Sequence, residues 1–152
     1  MPRTFTVVDE PNLILPEDSI HRAKLLDIKE KAIEWNDART GEHKSRDLLE
    51  WWWEITVPGN GLGPEFKFRK VKGSTDAKLT NHSGNKFREW AEALLTKPID
   101  IGTVIDVDDL IGLEAEIVIA HRPNKKDPSR PWEEVSEVIS LGAEAYENAA
   151  PF

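Results

Sequence analysis

The chain has 152 residues, a net charge of −8, 32% charged and 39% hydrophobic residues, and no cysteine. This length suits one domain with a single core, which buries roughly 68–70% of its unfolded surface. The composition excludes disulfides and thiolate metal sites, and the lack of a basic-then-apolar start or of about eighteen consecutive apolar residues predicts neither signal peptide nor membrane span, so a cytoplasmic location is expected.

Residues 1–18 hold the alternating segment Thr4–Val8 and then Pro11 and Pro16, which predicts an N-terminal arm or edge strand. Residues 19–35 alternate with a slip near Leu25-Leu26, as a long bulged strand does, with a helix as the competing reading. A polar loop over 36–46 leads into Asp47–Val57, whose three consecutive tryptophans and β-branched residues predict a strand ending at Pro58-Gly59-Asn60-Gly61. Alternation places Leu49, Trp51, Trp53, Ile55 and Val57 on a core face and Leu48, Glu50, Trp52, Glu54 and Thr56 on a wetter face. Trp52 is therefore the tryptophan singled out for contact with a ligand.

Residues 65–72 interleave aromatic and basic side chains and predict a third strand, with Phe66, Phe68, Lys70 and Lys72 on one face and Lys67, Arg69 and Val71 on the other. Neither face is cleanly apolar, which leaves open which phenylalanine is exposed. Ser83 is a predicted N-cap for a helix to about Leu95, with Phe87, Trp90, Ala91 and Leu94 as its core stripe. A turn over 106–112 precedes a strand over 113–120, with Leu113, Ala115, Ile117 and Ile119 inward. A proline-broken basic loop over 121–131 then leads to a last strand over 132–141, and residues 142–152 read as a C-terminal tail. The expected fold class is mainly β with one helix. Five strands with the helix after the third match an OB-fold, a five-stranded Greek-key barrel over residues 19–141 that binds oligomers on its strand 2–3 face and loops.

The acidic total argues against a protein that coats nucleic acid through its whole surface, but the charge is unevenly spread. Residues 65–72, with Lys67, Arg69, Lys70 and Lys72, and residues 121–131, with Arg122, Lys125, Lys126 and Arg130, each carry +3. Both fall where the fold places binding elements. Base stacking on Trp52 and on Phe66 or Phe68, with phosphates on these cations, is the chemistry of sequence-tolerant single-strand binding. Asp47 with Glu65-Phe66-Lys67 fits a metal-dependent nuclease pattern only loosely, since three other short segments fit it equally. His21, His43, His82 and His121 are scattered and expected at the surface, Asp106, Asp108 and Asp109 suit a capping turn, and no phosphate-loop, dinucleotide or nucleophile-elbow motif occurs. The expectation is a non-enzyme with no metal and no cofactor.

Thr4–Val8, Leu15–Asp18, the strand from Ile20, Trp51–Ile55, Phe87–Trp90 and Asp109–Gly112 together resemble the small OB-fold single-stranded-DNA-binding proteins of bacteriophages. The resemblance covers roughly residues 4–141 and implies DNA binding in phage replication or recombination, in the host cytoplasm. Pro151-Phe152 resembles the tip of bacterial single-stranded-DNA-binding proteins, which implies docking on replication or recombination proteins through an aromatic plug and a free carboxylate. Here only Glu144 and Glu147 precede the tip, with Asn148-Ala149-Ala150 where those proteins carry aspartates. Homo-oligomers built through strand edges are compatible with this class. The alternative expectation is an acidic phage accessory protein that binds a host protein through the tryptophan face.

Overall fold

Two long strands form where extended, β-prone sequence is sustained: β1, Ile20–Asn36, and β2, His43–Val57, in a computed structural model that describes residues 3–5, 14–80, 82 and 84–141. They pair antiparallel from Arg22↔Val57 to Asn36↔His43, with register shifts between Arg22 and Ala23 and between Leu25 and Asp27. The slip in alternation is thus a bulge, which turns Leu26 out of register and restores inward packing on both sides. The competing helix over 19–35 does not form. The hairpin reaches further than expected: the loop shrinks to residues 37–42, closed by Asp37, whose side chain accepts from the Arg39 and Thr40 N–H groups.

β3 is Lys70–Asp76, shifted from the expected 65–72. Pro64 fixes the first position of a 3₁₀ turn over Pro64–Phe66, and Phe68 takes a positive φ of 70°, so the chain cannot extend until Lys70. The shift reverses part of the face assignment. Phe66 is buried, Val71, Gly73 and Thr75 face inward, and Lys70, Lys72 and Ser74 face out. The helix α1, Lys86–Leu95, is capped by Asn85, whose side chain accepts from the Arg88 N–H, while Ser83 lies outside the described residues. A 3₁₀ turn over Val107–Leu110 carries Asp106 as its cap, the role expected of that aspartate cluster. β4, Glu114–Arg122, and β5, Trp132–Ile139, complete the set.

The five strands close on themselves in the order β1-β2-β3-β5-β4, with β4 returning to β1. All pairs are antiparallel except β3 with β5, aligned through Lys72↔Glu134. The chain is therefore mainly β, with one helix and a five-stranded closed sheet. Its core is aromatic. Trp51 stacks on Trp53 at 6.4 Å and meets Trp90 edge-on at 5.4 Å and Phe87 at 5.8 Å. Trp90 comes this close because residue 73 is glycine: a Cβ there would lie 2.6 Å from its ring. The Trp51 indole N–H donates to Thr75 Oγ1 at 2.8 Å, which satisfies a buried donor.

The expected core positions Leu49, Trp51, Trp53, Ile55, Ala115, Ile117 and Ile119 are buried, but Val57 is exposed, since the register shift between Arg22 and Ala23 sets it opposite Arg22 on the outer face. His21, expected at the surface, is buried. The Gly59 N–H donates to its Nδ1 at 2.9 Å, so the neutral ring carries its proton on Nε2 and donates to Ser19 Oγ at 2.7 Å, which in turn donates to Pro16 O. This chain of bonds fastens the start of β1 to the turn after β2. Leu15 is also fully buried, so the end of the expected N-terminal arm packs into the core. Thr6–Val8 of the first segment and the tail with Pro151 and Phe152 lie outside the described residues.

Candidate nucleic-acid interface

The six tryptophans fall into two groups. Trp51, Trp53 and Trp90 fill the core, whereas Trp52 and Trp132 stand on the outer surface of the closed sheet and Trp35 near the far end of the β1–β2 hairpin. Strand alternation and register put the outer three on one continuous face. Trp52 pairs across β2 with Asp27 on one side and Lys72 on the other, and Lys72 pairs with Glu134, two residues beyond Trp132. Trp35 pairs with Lys44, which has the same outward parity as Trp52.

Trp52 lies between two cations. Lys29 Nζ and Lys72 Nζ are each 5.8 Å from its ring, within range of attraction to a π-face. Its indole N–H is out of solvent and turned toward Glu50, whose carboxylate it helps to stabilise. The same face carries Glu50, whose Oε2 lies 3.2 Å from Lys31 Nζ and 3.6 Å from Lys72 Nζ. Burial pushes the Glu50 carboxyl pKa up, but the Lys31 hydrogen bond and the charges of Lys72 and Lys31 outweigh it and hold the group below the usual carboxylate range.

Toward β5, Trp132 is 61% exposed and opposite Arg122, which pairs with Glu134 at 2.6 Å. That carboxylate raises the arginine's already high pKa. Two strand spacings and a two-residue offset put Trp132 roughly 12 Å from Trp52. In the other direction, β1 and β2 continue beyond β3 and β4 as a two-stranded ribbon, because β3 pairs β2 only from Leu48 and β4 pairs β1 only to Lys24. The ribbon's outer face carries Lys29, Lys31, Ile33 and Trp35 opposite Glu50, Leu48, Arg46 and Lys44. Trp35 is 44% exposed, about 26 Å along β2 from Trp52 at ~3.3 Å per residue.

The expected contact residues divide. Trp52, Lys70, Lys72 and Arg122 share this face. Phe66 belongs to the core, which leaves Phe68, 65% exposed with Lys67 Nζ 5.2 Å over its ring, as the exposed phenylalanine. Lys67 and Phe68 sit in the connection before β3, and Arg69 pairs with Glu133, a side chain that also accepts from the Leu15 N–H. Lys125, Lys126 and Arg130 are exposed in the loop after β4, shaped by Asn124 and Asp127. Sequence reading missed Trp35, Trp132, Lys29 and Lys31. The signal for Trp132 was present, since an aromatic residue directly follows the basic loop; Trp35 was hidden by the underestimated length of the hairpin.

A hollow of about 440 Å³ lies between Leu79, Arg88, Ile99 and Thr103, and none of its lining residues is on the tryptophan face. Among the described residues no three His, Asp or Glu side chains converge as a metal-holding group, and no helix is long and apolar enough to cross a membrane. A scan against protein-family models finds no match to the chain, and neither does a search of curated proteins.

Proposed function

We propose that the closed sheet is an OB-fold barrel and that its tryptophan face binds single-stranded DNA without sequence preference and without catalysis, in phage replication or recombination. The strand order β1-β2-β3-β5-β4, the parallel β3–β5 contact and the helix between β3 and β4 support the fold assignment. One observation carries the function: half of the tryptophans leave the core for a single face, and the central one, Trp52, is flanked by two lysines. Bases stack on the indoles, at roughly 1–3 kcal/mol each, while phosphates run past Lys29, Lys70, Lys72, Arg122 and the loop cations Lys125, Lys126 and Arg130. Phe68 with Lys67 and Arg69 borders this track. Pro151-Phe152 would recruit replication or recombination proteins.

The test is tryptophan fluorescence during titration with a poly-thymidine oligonucleotide at two salt concentrations. Quenching that weakens with salt, with a log–log slope of about −0.7 per phosphate contacted, is the expected result. Unchanged fluorescence together with an unshifted labelled oligonucleotide would refute the reading and turn the face into a protein-docking surface.

A further inference from the structure

Several cations on the tryptophan face are matched by carboxylates of the same chain. Lys31 and Lys72 meet Glu50, Arg122 meets Glu134, Lys44 meets Asp37 at 3.2 Å, and Arg46 meets Asp76. Glu50 differs from the others in two respects. A single oxygen, Oε2, is shared between two ammonium groups from different strands, one on β1 and one on β3. It also lies two residues from Trp52 on the same face, where the indole N–H helps to stabilise its carboxylate.

We infer that Glu50 occupies a phosphate site, its carboxylate standing between Lys31 and Lys72 where a backbone phosphate of a bound strand sits, so that binding exchanges one anion for another. This rests on the reading of the face as a single-strand interface. The chemistry of the exchange is matched: a non-bridging phosphate oxygen, like Oε2, is an anionic acceptor for both ammonium groups. The two lysines are about half exposed but the Glu50 side chain is only 14% exposed, so the carboxylate yields its place only to an anion that takes over both ammonium groups. A free anion gains little at a site already filled from within. A strand anchored by stacking on Trp52 presents its phosphate at high local concentration and displaces the carboxylate. The ligand class selected is therefore a polyphosphate chain carrying bases, rather than a mononucleotide or an isolated phosphate.

The experiment compares wild type, Glu50→Gln and Glu54→Gln by anisotropy of a labelled poly-thymidine oligonucleotide over a salt series, with thermal unfolding as a fold control. Glu54 lies on the same face, opposite Lys24 and Lys70, and makes no ion pair among the described residues. Removing a carboxylate ~4 Å from a phosphate is expected to tighten binding about fivefold in dilute salt. Freeing the two lysines for that one phosphate is expected to steepen the log–log salt slope by about 0.7. Glu54→Gln makes the same change in net charge and is expected to tighten binding less, with the slope unchanged. If Glu50→Gln fails to fold, Glu50→Asp, which draws the carboxylate back by one methylene, must still steepen the slope.

Unchanged or weaker binding by Glu50→Gln overturns the inference and makes Glu50 a positioning residue for the lysines. Equal gains in both variants overturn it in favour of bulk charge. A folded wild type and a folded Glu50→Gln that both leave the oligonucleotide unbound refute the single-strand reading itself, and the phosphate site with it.

Discussion

Replacing Trp52 with alanine separates binding from folding, because the side chain contributes to the two by different amounts. It stands outside the core, and its principal described partners are two lysines at 5.8 Å. Exposed cation–π contacts are worth ~0.5–1 kcal/mol each, so Trp52→Ala should lower stability by about 1–2 kcal/mol through these two contacts, with lost packing on the strand adding to it. Trp53 is the contrast: fully buried, stacked on Trp51 and edge-on to Trp90 at 6.4 Å, it should cost roughly 3–5 kcal/mol on truncation to alanine. For binding, the loss of one stack at Trp52 is ~1–3 kcal/mol, which is about 5- to 150-fold in affinity. Urea denaturation gives the first quantity and oligonucleotide anisotropy the second. A folded Trp52→Ala protein with wild-type affinity would remove Trp52 from the interface, and a Trp52→Ala protein that unfolds would show that its outward placement is wrong.

Trp35→Ala should weaken binding of long oligonucleotides by about 1–3 kcal/mol and leave short ones unaffected, since Trp35 lies about 26 Å from Trp52; equal losses at all lengths in a length series would contradict the ribbon's position. Gly73→Ala should destabilise the fold by roughly 1–3 kcal/mol, measured by urea midpoint, because its Cβ would meet the Trp90 ring at 2.6 Å and Val135 Cβ at 3.0 Å. Burial lowers the His21 pKa from 6.5, so the unfolded chain takes up a proton that the native state resists. Stability from this group is complete above pH 6.5 and is lost as pH falls below it, by at most about 1.4 kcal/mol per pH unit, and the difference between wild type and His21→Gln in urea midpoints at pH 7.5 and 5 isolates it. An identical acid response in the two proteins would show that His21 does not carry this linkage.

The fold was legible where burial and periodicity agree. From Leu48 to Glu54, β2 is paired on both edges with one face in the core, so its alternation is strict there, and β4 reads the same way through Ala115, Ile117 and Ile119. β3 was misread because composition and backbone geometry conflict there. Phe66-Lys67-Phe68 has strand-like residues, but Pro64 starts a 3₁₀ turn and Phe68 adopts the left-handed region, which no alternation rule reveals. The residues that do form β3, Lys70–Asp76, include a glycine and little apolar content; their identity is set by Trp90 packing on Gly73 and by Trp51 bonding to Thr75. Those partners lie on other elements and become neighbours only in the folded chain. His21 was missed for a related reason: its burial depends on Gly59 and Ser19 supplying partners for both ring nitrogens.

The proposed interface is split in the same way. Trp52 could be singled out because two flanking tryptophans of opposite parity define its face within one strand. Trp35 and Trp132 lie far apart in sequence, on β1 and β5, and only register unites them: Trp35 through Lys44 to β2, and Trp132 through Glu134 and Lys72 to Trp52. The same registers bring Glu50 and Glu134 in among the cations. Two positive segments in an acidic chain therefore do not yield a bare basic surface, because the closed sheet interleaves them with carboxylates from neighbouring strands. A face partly neutralised in this way attracts anions less strongly at a distance and relies more on close contact. Under the proposed function, the indoles then supply what charge alone does not: a duplex keeps its base faces stacked internally, so unpaired bases are the form of nucleic acid that gains most from three outward tryptophans.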